Sequence, residues 1–77
     1  MLFLIEYDRP GGKIVNLRTF DSAARKAAED VLFETELEFY RRGIDLEVVL
    51  LEAESEEAVR RTHRRYFESL SELAAVP

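Results

Sequence analysis

Apolar and polar positions alternate with a period of two in three stretches of the chain, and with a helical period in two others. Residues 2–8, "LFLIEYD", put Leu2, Leu4, Glu6 and Asp8 on one side of a strand and Phe3, Ile5 and Tyr7 on the other. "RPGGK" at 9–13 follows, where Pro10 fixes φ and Gly11–Gly12 permit the positive φ of a tight hairpin turn. "KIVNLRTF" at 13–20 is the returning strand, with Val15, Leu17 and Thr19 on one face and Ile14, Asn16, Arg18 and Phe20 on the other. A phosphate cradle needs a longer glycine pattern opening onto a helix, so the paired glycines read as a turn.

Asp21 or Ser22 caps a long helix reaching about Arg42, and Gly43 suits the residue just past its end. Arg41 and Arg42 complement the negative end of its dipole. "IDLEVVLLEA" at 44–53 is the third strand. Ser55 caps a second helix, with Glu56 and Glu57 in its first turn, predicted to run to about Ala74.

The order β-β-α-β-α defines an α+β fold, and 77 residues give room for one domain, 1–77. A hairpin followed by a one-helix crossover favours a three-stranded antiparallel sheet in order 2-1-3. The first strand is then central, which suits a segment apolar on both sides and poor as an exposed edge. The layout resembles part of a ferredoxin-like α+β fold, an architectural comparison carried by no motif and silent about function.

Alternation along the strands predicts a covered face of Phe3/Ile5/Tyr7, Val15/Leu17/Thr19 and Ile44/Leu46/Val48/Leu50. The other face then carries Leu2, Leu4, Phe20, Val49 and Leu51 at one end, with Glu6, Asp8, Arg18, Asp45 and Glu47 at the other. Five large apolar groups left open together would be hazardous for a soluble monomer. The second helix, a second copy of the chain, or another ligand or protein could cover them. On the second-copy reading, Leu4→Lys or Leu51→Lys splits a dimer and leaves the monomer folded.

The first helix gathers Ala24, Ala27, Ala28, Val31, Leu32, Thr35 and Phe39 on a core face. Its opposite side carries Phe33, Leu37 and Tyr40 at i, i+4 and i+7, a stripe that needs a partner. In the second helix Val59, Thr62, His63, Tyr66, Leu70, Leu73 and Ala74 share the packing side, with Phe67 at its margin. Arg60, Arg61, Arg64 and Arg65 share the solvent side.

Composition narrows the functions available. The hydrophobic fraction of 47% against 35% charged residues is a globular balance. The chain has no Cys and one His, so it holds neither disulfides nor thiolate or multi-histidine metal sites, and no cofactor motif is present. A core this small commonly relies on self-association. No signal peptide is visible, and nothing approaches the roughly 18 apolar residues of a membrane span, which points to a cytoplasmic protein.

The arginine row is a candidate anion-binding surface. Glu56–Arg60, Glu57–Arg61 and Arg64–Glu68 are i,i+4 pairs that compensate it, and the net charge of −5 disfavours nucleic acid. His63 could act as a general base, with Tyr66 beside it, but no spacing supplies a recognisable dyad or triad. Glu34 and Glu38 are a conceivable weak cation pair that reads as surface charge.

The leading expectation is a homodimeric module without catalysis that binds a protein or small apolar ligand. Its candidate interface is Leu2, Leu4, Phe20, Val49, Leu51, Phe33, Leu37 and Tyr40. The alternative is a small dimeric enzyme or pocket protein using His63 and Tyr66, which predicts an enclosed cavity reached by both side chains. The third is a weak nucleic-acid binder through the arginine face.

Overall fold

The computed structural model describes residues 1–67. Residues 68–77, across which the second helix is predicted to continue, lie outside the described residues, as does the side chain of Arg65.

Aromatic and branched residues make "LFLIEYD" a strand, β1, Leu2–Asp8, and "KIVNLRTF" its hairpin partner β2, Lys13–Phe20. The turn between them is closed by Gly12, whose N–H donates to the Asp8 carbonyl at 2.8 Å and whose φ is 65°. Gly11 does not share that positive φ. Its N–H instead donates to the Asp8 carboxylate at 3.2 Å, and a Cβ there would lie 2.5 Å from Asp8 Oδ2.

Between Glu6 and Tyr7 the β1–β2 register slips, so that Ile5 faces Leu17 but Tyr7 faces Ile14. Val15 is left unpaired in this bulge and is 54% exposed, whereas Ile14 packs against the core. The simple alternation had placed these two residues the other way round.

After β2, Asp21 accepts the Ala23 N–H at 2.8 Å and caps a single 3₁₀ turn, Ser22–Ala24. This leads into helix α1, Arg25–Arg42. Gly43 ends α1 in the left-handed conformation, and the Ile44 N–H reaches back to the Phe39 carbonyl at 2.9 Å, the six-to-one bond of a Schellman cap. Strand β3 spans Glu47–Glu52, shorter than predicted, with Ile44 and Leu46 in the half-buried approach to it.

The sheet order is β2-β1-β3, with both neighbours antiparallel to β1, as the chain pattern implies. Helix α1 thus forms the crossover between two parallel outer strands.

The two sheet faces are covered by different helices. Helix α1 lies over the side of Leu2, Leu4 and Glu6: it frames a groove with Glu6 and Arg18, and Arg25 in its first turn bridges to Glu52. The other side carries a cluster of Phe3, Ile5 and Tyr7 with Val59 and Tyr66 of the C-terminal helical region. Sandwiched this way, Leu2, Phe3, Leu4 and Ile5 are all essentially inaccessible, at 0–2%. Each such burial contributes about 1.5–3 kcal/mol.

This arrangement corrects the expected open face. The β1–β3 register pairs Phe3 with Leu51 and Ile5 with Val49, and Leu4 with Leu50. Directly paired residues point the same way, so Val49 and Leu51 lie opposite to Leu2 and Leu4. Leu2 and Leu4 are closed over within the protomer rather than left for a partner. The phase of β3 was open to misreading because Val48, Val49, Leu50 and Leu51 are apolar on both sides.

The second helix is interrupted at His63. Helix α2, Glu56–Thr62, is capped by Ser55, which accepts the Ala58 N–H at 3.1 Å. It stops at His63, whose φ of −127° and ψ of 51° leave the helical region, and a further turn, α3, Arg64–Phe67, follows. Tyr66, in α3, packs onto the sheet beside Tyr7.

Candidate functional site

Helix α1 presents the least covered apolar surface. Ala28 is its single fully buried residue, and Ala24, Val31, Leu32, Thr35 and Phe39 are half-buried towards the sheet. On the far side Phe33 is 67% exposed and Tyr40 85%, with half-buried Leu37 one turn from each. The predicted stripe is therefore a surface feature that no described part of the protomer covers. Phe20, the remaining predicted interface residue, is half-buried and lies under the Arg18 guanidinium at 5.2 Å.

The predicted polar pair near the C-terminal helices is only partly assembled. The Tyr66 and His63 ring centroids are 6.5 Å apart and tilted at 45°. Tyr66 is buried, stands edge-on to Tyr7 at 5.0 Å, and donates its hydroxyl hydrogen to Glu47 Oε1 at 3.0 Å. An open groove of about 320 Å³ adjoins it, lined by Gly12, Lys13, Ile14, Leu17, Arg60, Tyr66 and Phe67. Tyr66 reaches this groove, and half-buried His63 is not among its walls.

Two residues outside the predicted set complete the Tyr66 cluster. Arg9 Nε donates to Glu47 Oε2 at 2.9 Å, so one carboxylate joins the hairpin turn, the start of β3 and α3. The hydrogen bond and charge of Glu47 hold the Arg9 guanidinium more firmly protonated than usual. Nothing in the local pattern links positions 9, 47 and 66. The one available signal is Glu47 opening a strand whose next four residues are all apolar.

The arginine row is largely self-satisfied. Arg60 pairs with Glu56 at 3.0 Å and lies 4.7 Å from the Phe67 ring centroid, and Arg61 reaches Glu57 at 3.6 Å. Arg64 is exposed, and the expected partner Glu68 lies outside the described residues. Among the described residues no group of three His, Asp or Glu side chains is gathered that could hold a metal ion, and no helix is long and apolar enough to cross a membrane.

The fold and its surfaces define a small α+β sandwich with one helix face that no described residue covers. No protein-family model matches the chain, and no curated protein or solved structure matches it either.

Proposed function

We propose that the protein is a non-catalytic binding module that self-associates through the outer face of α1. One observation carries the reading: two aromatic side chains, Phe33 and Tyr40, stand in solvent on either side of Leu37, on a helix already seated on the sheet by its opposite face. Burying an apolar side chain contributes about 1.5–3 kcal/mol before the costs of association. An isologous pair would bury three from each protomer, and aromatic anchors of this kind dominate interface energetics.

The test is the molecular mass by light scattering across a dilution series. A dimer that dissociates on dilution supports the reading, and Phe33→Lys/Tyr40→Lys should give a folded monomer. A wild-type monomer at high micromolar concentration overturns it.

A second reading rests on the groove beside Tyr66. Ile14, Leu17 and Phe67 provide apolar walls, with the Lys13 and Arg60 cations at the rim, a lining suited to a small apolar anion. Titration with anilinonaphthalene sulfonate tests it by amide NMR: shifts confined to residues 12–17 and 60–67 support the site, and unchanged spectra reject it.

A further inference from the structure

We propose that two copies pair with their α1 helices antiparallel, the two-fold axis passing beside Leu37 and reciprocal Arg41–Glu34 ion pairs fixing the register. This rests on the self-association reading and adds its geometry.

At roughly 100° per residue, Asp30, Glu34 and Arg41 fall on one flank of the Phe33/Leu37/Tyr40 stripe, and Glu29 and Glu36 on the other. Within the protomer Lys26 pairs with Asp30 at 2.9 Å and Arg42 with Glu38 at 3.7 Å. Among the described residues Glu34 and Arg41 are exposed and enter no ion pair, and Glu34 also borders the groove that α1 forms with Glu6 and Arg18. The spacing i, i+4, i+7 is that of a helix–helix seam.

The symmetry decides which charges meet. In a parallel pair, opposite flanks come together, setting Asp30 and Glu34 against Glu29 and Glu36 of the partner, acid upon acid. In an antiparallel pair each flank meets its own copy. With the axis at Leu37, Arg41 lies about 6 Å along the helix on one side and the partner's Glu34 about 4.5 Å along on that same side. The two come level, twice by symmetry. Glu36 meets its own copy close to the axis and opposes the pairing, so this arrangement makes a further demand: Glu36→Gln should tighten the dimer.

Charge exchange tests the register. Arg41→Glu and Glu34→Arg should each weaken self-association by about tenfold, because two attractions become two repulsions. Mixed together, the two variants should form a heterodimer in which both pairs are restored, and the doubly exchanged chain should dimerise again. The absence of Cys permits a second readout: Leu37→Cys should cross-link to its own copy under mild oxidation and Phe33→Cys should not. A dimer that yields no heterodimer, or that cross-links at both positions, overturns the antiparallel register while leaving self-association standing. A wild-type chain that stays monomeric removes both.

Discussion

The Tyr66 hydroxyl donates to Glu47 Oε1 at 3.0 Å, across 19 positions of sequence. That bond holds the last described turn of the chain onto the start of β3. It acts together with Arg9, which takes the other carboxylate oxygen, and with Tyr7, against which the Tyr66 ring is packed edge-on.

Tyr66→Phe keeps the ring and loses the bond. It should lower unfolding stability by about 1.5–3 kcal/mol, the range for a hydrogen bond to a charged group. Tyr66→Ala also empties the ring's place and should cost about 3–5 kcal/mol. Urea denaturation followed by circular dichroism measures both, and an unchanged stability of Tyr66→Phe would contradict the assigned bond.

Leu4 is 2% exposed between the sheet and α1, so Leu4→Ala should cost about 3 kcal/mol. Leu4→Lys would bury an unpaired ammonium and should prevent folding rather than release a folded monomer. Far-ultraviolet circular dichroism decides between these outcomes.

Val15 is the extra residue of the β2 bulge. Deleting it should leave Ile14 opposite Tyr7 and Leu17 opposite Ile5, preserving both contacts. The deletion should change stability by no more than about 1 kcal/mol, as a loop-adjacent change that buries and exposes little. Complete loss of the folded signal would show that the bulge has a role beyond spacing.

Gly43 holds φ 65° at the end of α1, and a Cβ there would meet nothing within 4 Å. Gly43→Ala should therefore cost about 1 kcal/mol through backbone conformation alone. Thermal unfolding reads the loss, and an unchanged midpoint would refute the cap's contribution.

Arg60 and Arg61 are engaged by Glu56 and Glu57 on their own helix. Retention on a heparin column at low salt should be negligible. Strong, salt-sensitive retention would favour the nucleic-acid reading, the third of the sequence-based expectations, over self-association alone.

Local signals placed most of the elements. Pro10 and Gly12 marked the turn, Asp21 and Ser55 the helix starts, and Gly43 the helix end, because caps and turns are made by neighbours in sequence. The outer stripe of α1 was equally legible, since a helical period needs only the chain itself to show which residues share a side.

The faces of β3 were not legible in that way. Val48 to Leu51 are apolar at every position, so a shift of one residue changes nothing in the pattern and everything in the contacts. Pairing with β1 selects the phase, and the separation of the helices onto opposite sides of the sheet follows from where β3 hands on the chain. The meeting of Arg9, Glu47 and Tyr66 was likewise decided by tertiary structure alone. Such long-range contacts depend on register and on an interrupted helix, and neither is encoded by any one segment.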